Sequence, residues 1–228
     1  DSYDYGDYFG KSVAISADTI LVGAYGEDSN ATGVNGNQSN NSTTLAGAAY
    51  VFVRSGSSWS QQAYIKASNP GKTDYFGWSV GLDGDTAVIG AYQEDSSATG
   101  INGSQSSNGS DESGAAYVFR RLNGQWSQQA YLKASNSDAK DRFGRAVAVS
   151  GNSIIAGANG EDSEAREING DQDDDSETDT GAAYVFVSPP PPPISGITRL
   201  EQGLILTMKV PAGLTAGERT RSYSSKVK

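Results

Sequence analysis

The sequence of 228 residues contains no cysteine, no histidine and only one methionine. Without cysteine the chain can form neither a disulfide bond nor a thiolate metal site, and the redox compartment stays undetermined. Without histidine it lacks the commonest general base, any Ser-His-Asp or Cys-His pair, and the usual ligands of zinc and iron. The residues on which most hydrolase and transition-metal sites depend are therefore missing.

Long apolar stretches are missing as well. No run approaches the roughly 20 apolar residues of a membrane span, and no segment has a sustained apolar period of 3.6 residues. The 28 glycines and 12 tyrosines suit short strands and tight turns rather than helices. We therefore predict an all-β protein with no membrane insertion.

The net charge of −10 is concentrated in one part of the chain. Residues 161–180 hold ten acidic side chains and one basic side chain, Arg166, which gives this stretch a charge of −9. A chain of this charge repels nucleic acid and anionic lipid. We therefore expect no nucleic-acid partner, and we expect cations, basic partners or neutral glycans as ligands.

Three segments of the chain align without gaps at an offset of 67 residues. The offset carries Phe9-Gly10 to Phe76-Gly77 and Phe143-Gly144, and it carries Gly23-Ala24 to the pairs that start at Gly90 and Gly157. A fixed period of this size indicates one supersecondary unit copied in tandem. A residue that is the same in all three copies is expected to be needed for the packing of the unit. A position at which one copy has a different residue indicates a cause that is specific to that copy.

Each unit has a pattern of four strands. An alternating apolar run over 9–16 is followed by a tight turn and by the apolar run 19–24, whose small last residues can admit a neighbouring backbone. A polar segment of about twenty residues comes next, far longer than the usual connection of 4 to 6 residues. Strands over 48–53 and 59–67 complete the unit. Four antiparallel strands in a repeat are typical of a β-propeller blade.

The Phe-Gly starts, the Gly-Ala ends of the second strands and the Gly-Ala-Ala-Tyr-Val-Phe third strands resemble FG-GAP repeats. These repeats are the blades of integrin α-chain propellers and of many bacterial exported proteins. The resemblance covers residues 7–187, although Tyr25, Tyr92 and Asn159 stand where the family often has proline. It implies a β-propeller of extracellular or cell-surface type, with blades at about 1–70, 71–137 and 138–187.

The third blade is expected to be incomplete. After Val187 the chain enters the run 188–193, Ser-Pro-Pro-Pro-Pro-Pro, in place of a fourth strand, so the pattern predicts eleven strands. We predict a proline-rich linker at 188–195, followed by a short tail at 196–228 that is β-like or disordered. The tail contains a strand-like stretch at 204–210, which is compatible with a truncated module. Propellers of this family typically close with seven blades. Three units therefore indicate a fragment of a longer propeller, or several copies that associate.

The family's usual calcium loop is absent, because the turns that would hold it are too short to surround a cation that needs 6 to 8 oxygen ligands. The third polar segment offers another candidate, a stretch with carboxylates at alternate positions that could turn around one Ca²⁺. A solvated acidic loop is the competing interpretation. The predicted metal ligands are Asp171, Asp173, Asp175, Glu177 and Asp179.

Because the long polar segments all leave the same point of the unit, they are expected to emerge on one face of the propeller. We predict a non-enzymatic, extracellular or cell-surface adhesion module that recognises a protein or glycan through this face and is stabilised by calcium. Two alternatives stay open: part of a secreted polysaccharide-degrading enzyme, or a structural spacer with no ligand. No residue is assigned a catalytic role, since carboxylate pairs are too abundant here to identify one from sequence.

Overall fold

The computed structural model describes residues 6–187 and the backbone of one further strand at 205–208. This part of the chain is built from β-strands and contains no helix. The strands are β1 (Ser12–Ser16), β2 (Thr19–Ala24), β3 (Ala48–Ser55), β4 (Ser58–Ile65), β5 (Ser79–Asp83), β6 (Thr86–Ala91), β7 (Ala115–Leu122), β8 (Gln125–Leu132), β9 (Phe143–Ser150), β10 (Ser153–Ala158), β11 (Ala182–Val187) and β12 (Ile205–Met208). Among the described residues, no helix is long and apolar enough to cross a membrane.

The strands form three antiparallel sheets of four, in the orders β1-β2-β3-β4, β5-β6-β7-β8 and β9-β10-β11-β12. We call these sheets and their connections units 1, 2 and 3. Each sheet is a simple meander in which neighbours in sequence are neighbours in space, as the repeated pattern predicted. The fold is a partial β-propeller, and the described sheets do not close into a ring. The domain limits proposed from the sequence stay predictions.

The prediction that the third blade lacks a fourth strand is wrong. The strand β12 lies beyond the proline run and pairs with β11, with Phe186 opposite Ile205 and Ala183 opposite Met208. It comes from the segment that the sequence marked as strand-like. Without it, β11 would present a row of unpaired backbone N–H and C=O groups, which is costly at the edge of a sheet.

Neighbouring sheets pack face to face and bury two apolar cores. We call the face that meets the preceding unit the leading face, and the face that meets the following unit the trailing face. The first core joins the trailing face of unit 1, with Leu21 and Val51, to the leading face of unit 2, with Phe76 and Phe119. The second core joins Val88 of unit 2 to Phe143 of unit 3 at equivalent positions.

Glycines let the backbones of adjacent units touch. A Cβ added to Gly23 would lie 2.0 Å from the carbonyl oxygen of Gly77, and one added to Gly90 would lie 1.9 Å from that of Gly144. The same carbonyl oxygens accept hydrogen bonds from Ser12 Oγ at 2.8 Å and from its unit 2 equivalent at 2.7 Å. The prediction that these small residues admit a neighbouring backbone is confirmed. The same contact holds the backbone of the Phe-Gly pairs of units 2 and 3 in equivalent positions.

Candidate functional site

The long polar segments 25–46, 92–113 and 159–180, which we call the inserts, leave the sheets at one common end. The first two inserts reach across their own sheet to its fourth strand. Val34 forms an isolated bridge with Ile65, and Ile101 forms the equivalent bridge with Leu132. These two inserts therefore lie over the end of their own sheets, from the second strand across to the fourth.

An asparagine in the left-handed conformation shapes each insert. Asn35, Asn102 and Asn169 have φ angles of 58°, 55° and 56°. The side-chain Oδ1 atoms of the first two accept hydrogen bonds from Tyr64 N and Tyr131 N, each at 2.9 Å. In the sequence each of these asparagines precedes a glycine, and an Asn-Gly pair predicts a turn with positive φ. The structure confirms this prediction in all three inserts.

An aspartate at the start of each insert holds the end of the same insert. The Oδ1 atoms of Asp28, Asp95 and Asp162 accept backbone N–H bonds at 2.7, 2.8 and 2.7 Å from donors 17 residues further on. An aspartate directly after a strand predicts a structural role, with its side chain accepting backbone N–H bonds in a local Asx-turn. The structure confirms the structural role but shows bonds to distant N–H groups in place of the local turn. The insert returns to its starting point, which brings a distant N–H closer than the neighbouring ones.

A buried glutamate lies beneath each of the first two inserts. Glu27 accepts hydrogen bonds from Lys66 Nζ at 2.7 Å and from the Tyr64 hydroxyl at 2.7 Å. In unit 2, Glu94 accepts from Lys133 Nζ at 3.2 Å and from the hydroxyl of Tyr131 at 2.8 Å. Burial lowers the pKa of both lysines, and the paired glutamates counteract this. Because these charges are paired and inaccessible, they support the inserts rather than bind a ligand.

A second buried carboxyl precedes the Phe-Gly pair in units 2 and 3. Burial raises the pKa of Asp74 and of Asp141 to about 7, with a smaller contribution from nearby acidic groups. Each side chain accepts one backbone N–H bond, Asp74 from Gly71 at 2.7 Å and Asp141 from Asp138 at 2.9 Å. These carboxyls lie in the connections between one unit and the next, so their charge affects the contact between units.

The raised pKa values of Asp74 and Asp141 predict a loss of stability as the pH rises. A carboxyl whose pKa is higher in the folded than in the unfolded protein stabilises the fold fully below about pH 4, and the contribution disappears as the pH passes about 7. We expect the melting temperature to fall between pH 5 and pH 8. In the double variant Asp74→Asn, Asp141→Asn this fall should be much smaller, with a gain of roughly 2 kcal/mol per site at pH 8.

Thermal unfolding followed by circular dichroism at four or five pH values measures this effect. The amide oxygen of asparagine can still accept the N–H bond, so the substitution removes the ionisation and keeps the hydrogen bond. Asp111→Asn, at an exposed position, is the control and should leave the pH profile unchanged. A double variant with the same pH profile as the unsubstituted chain would show that these carboxyls do not ionise in this range.

The connection that leads from one unit to the next is hydrogen-bonded to the insert of the following unit in the same way twice. Asn69, just after β4, donates to Glu94 Oε1 at 2.8 Å and accepts from the Tyr117 hydroxyl at 2.7 Å. Asn136 makes the same two contacts one unit later, with Glu161 and Tyr184. The asparagines therefore hold the second and third inserts against the connection from the preceding unit.

A cleft of about 340 Å³ opens at the junction between units 1 and 2. We call it the junction cleft. Six of its eight lining residues carry a hydroxyl or amide side chain and none carries a charge; the lining residues are Thr32, Gly33, Ser68, Asn102, Gln105, Gln128, Gln129 and Ala130. The Oε1 atom of Gln128 is buried and has no hydrogen-bond partner among the described residues. A buried acceptor without a partner is costly, and Gln128 is one of the residues that line the cleft.

The five predicted calcium ligands lie in the third insert and are exposed. Some of these residues take part in backbone hydrogen bonds: Asp171 Oδ1 accepts from Asp173 N at 3.1 Å, and Asp179 N donates to Asp162. In the part of the chain that the structure describes, no three acidic side chains approach closely enough to hold a metal together. The structure does not gather Asp175 and Glu177 with the others, and calcium binding stays a prediction.

A row of aromatic rings crosses units 1 and 2 at the end of the sheets that carries the inserts. Tyr8 stacks on Tyr25 at 4.7 Å between ring centroids, and Tyr25 contacts Trp78 at 4.9 Å. The row continues from Trp78 to Tyr92 at 4.7 Å. The row ends at unit 3, where the guanidinium group of Arg145 lies 4.8 Å from the ring centroid of Tyr92 and 5.4 Å from that of Trp78.

Sequence reasoning missed both the junction cleft and the aromatic row. The row had a readable signal, since equivalent positions differ between the units: Lys11, Trp78 and Arg145 at one position, and Tyr25, Tyr92 and Asn159 at another. The cleft had no such signal. Its residues come from four separate segments, and only the packing of two units brings them together.

Comparison with known protein families supports the repeat assignment. The FG-GAP repeat family matches residues 3–52, 59–119 and 126–186, which is most of the chain. The second and third matches begin in β4 and β8, so the family's repeat contains the last strand of one sheet and the first three strands of the next. A comparison with curated proteins found no match. The three matches and the three equivalent sheets show that this chain belongs to the FG-GAP repeat family.

Proposed function

We propose that this chain is a non-enzymatic adhesion module of an extracellular or cell-surface protein, and that it recognises a glycan or a protein through the surface of its inserts. FG-GAP repeats are typically extracellular binding modules and are generally non-catalytic. Within these two classes of ligand we favour a neutral glycan. The observation that supports this choice is the chemistry of the junction cleft.

Sugar hydroxyls both donate and accept hydrogen bonds, as do the amide and hydroxyl side chains of the cleft. Gln128 supplies a buried acceptor that a sugar hydroxyl can satisfy. The lining contains no charged side chain, so a neutral ligand would enter without leaving an ionised group unpaired. A volume of about 340 Å³ is at the small end of ligand sites and suits one or two sugar rings of a longer chain.

A glycan array probed with the purified 228-residue chain tests the proposal, and titration calorimetry then measures the affinity of the best neutral glycan. We expect Gln128→Ala together with Gln129→Ala to weaken binding by about tenfold or more, because two hydrogen-bonding groups are lost from the cleft. Gln61→Ala is the matched control. Gln61 holds the position of Gln128 in unit 1, is exposed, and does not line the cleft.

The outcomes separate the alternatives. Binding that survives the glutamine substitutions would place the ligand elsewhere, and binding to protein arrays alone would make the ligand a protein. No binding in either array would favour a structural spacer. Shortened glycans among the recovered products would indicate an enzyme instead.

A calcium ion in the third insert is a further part of the proposal, and it rests on the spacing of the five acidic residues in the sequence. Thermal unfolding measured with calcium and with a chelator would test it. If the ion stabilises the insert, calcium should raise the melting temperature of the unsubstituted chain and leave that of the variant Asp171→Ala, Asp173→Ala, Asp175→Ala unchanged. Equal melting temperatures with and without calcium in both proteins would reject the calcium site.

A further inference from the structure

Units inside the array are joined by the trailing face of one unit and the leading face of the next. At the two ends of the array, the leading face of unit 1 and the trailing face of unit 3 each lack such a partner among the described residues. Phe76 and Phe143 are completely buried, whereas Phe9, the equivalent residue of unit 1, is 57% exposed. Val13 and Ile15 of β1 are 67% and 66% exposed, although their equivalents in units 2 and 3 are partly buried against the cores. The leading face of unit 1 is therefore an apolar surface that no described residue covers.

The opposite end of the array carries the matching surface. Ile155 of unit 3 is 36% exposed, whereas the equivalent residues of the other units, Leu21 and Val88, are completely buried. Beside it a groove of about 540 Å³ is lined by residues that include Arg145, Ala146, Gly157, Gly181 and Ala182. We call it the Phe-Gly groove, because its glycines are equivalent to those that contact the Phe-Gly pairs inside the array.

The glycines show that the groove is empty of described residues. Inside the array, a Cβ added to Gly23 or Gly90 would lie within 2.0 Å of the next unit's backbone. At Gly157, the nearest described atom would be 3.8 Å away. Gly47 and Gly114 each form a parallel bridge with the next phenylalanine, whereas a Cβ added to the equivalent Gly181 would have no described atom closer than 3.5 Å.

We propose that copies of this chain associate head to tail: the Phe9-Gly10 segment and leading face of one copy dock into the Phe-Gly groove and trailing face of a second copy. The contact repeats the two junctions already present inside the chain, so its partners match in shape and in apolar character. It is a heterologous contact, because the two surfaces are different, and it generates rings or open chains of copies.

One difference makes this contact weaker than the internal junctions. Ser12 and Ser79 donate hydrogen bonds to the carbonyl oxygen of the incoming glycine, but unit 3 has Ala146 at the equivalent position. The contact between copies therefore lacks one buried donor. A reversible association is expected, and Ala146→Ser should tighten it about two- to tenfold by restoring that hydrogen bond.

Sedimentation velocity on the full chain, from about 1 µM to about 200 µM, tests the proposal. We expect the mean mass to rise with concentration above the 23.8 kDa of one copy. Phe9→Ser removes the docking side chain and Gly157→Val places a side chain in the groove, so each variant alone should stay monomeric. Both variants should stay folded: Gly157 has open space beside it, and Phe9→Ser loses the ring contacts with Tyr50 and Phe52 at a position that is already more than half exposed, so its melting temperature should fall by no more than about 5 °C.

Mixing the two variants distinguishes this contact from any other form of association. The Phe9→Ser chain keeps an intact groove and the Gly157→Val chain keeps an intact Phe-Gly segment, so an equimolar mixture should form dimers and nothing larger. A monomer at every concentration, including for Ala146→Ser, would overturn the proposal and would point to the chain's own tail as the cover of the groove. Association of the unsubstituted chain that persists in both variants would also overturn it.

Discussion

The substitution Gly90→Ala is expected to lower the free energy of unfolding by more than about 3 kcal/mol. The new Cβ would lie 1.9 Å from the carbonyl oxygen of Gly144, an atom of the neighbouring unit's backbone that cannot rotate away. Units 2 and 3 would have to separate, which would expose the core that joins Val88 to Phe143. Urea denaturation followed by circular dichroism and tryptophan fluorescence measures the loss.

The chain supplies its own control for this prediction. Gly157 holds the same position in unit 3, and a Cβ there meets no described atom closer than 3.8 Å. Gly157→Ala should therefore change the stability by less than about 1 kcal/mol, because neither packing nor backbone angle opposes a side chain. Equal losses at Gly90 and Gly157 would mean that glycine serves the strand itself and not the contact between units.

The second large effect is expected from Lys133→Met, which should lower the free energy of unfolding by about 3 to 5 kcal/mol. The side chains of Lys133 and Glu94 are 0% and 2% exposed. Removing the lysine leaves the charge of Glu94 buried with only neutral hydrogen-bond donors, from Tyr131 at 2.8 Å, Asn69 at 2.8 Å and Ser96 N at 3.1 Å. Urea denaturation at pH 7 gives the loss.

Two comparisons show whether this loss comes from the unpaired buried charge. The double variant Glu94→Gln, Lys133→Met removes both charges and should recover at least half of the stability lost in the single variant. Arg54→Met breaks the exposed pair of Arg54 with Asp18, whose side chains are 48% and 61% exposed, and should cost at most about 1 kcal/mol. A double variant that is no more stable than Lys133→Met would contradict the explanation.

Most of the strand pattern could be predicted, because it depends on neighbours in sequence. The apolar run 19–24 predicted β2 with its observed limits, and the turn at Ala17 and Asp18 lies where Ala17 has a φ angle of 49°. The Asn-Gly pairs also predicted positive φ angles correctly. In the apolar run and the Asn-Gly pairs a local preference of the residues selects the backbone conformation, whereas the positive φ of Ala17 is imposed by the tight turn between β1 and β2.

The candidate site was less accessible to prediction. The acidic stretch of the third insert drew attention as a calcium site because its charges are adjacent in sequence, yet its exposed side chains are not drawn together among the described residues. The junction cleft consists of neutral residues that are unremarkable one by one. Gln128 differs from Gln61 only because a preceding unit lies against it, and a sequence pattern does not contain that contact.

By itself, the sequence determined the repeat. The 67-residue offset established three equivalent units, and their apolar and glycine patterns established antiparallel strands with backbones that touch across units. Tertiary structure alone decided which segment completes the third sheet, since β12 lies beyond a proline run and outside the repeat spacing. It also decided that Glu94 lies buried against Lys133, and that Phe9 is exposed while Phe76 is not. The physical reason is that burial and strand pairing depend on residues distant in the chain, whereas strand and turn formation depend on adjacent ones.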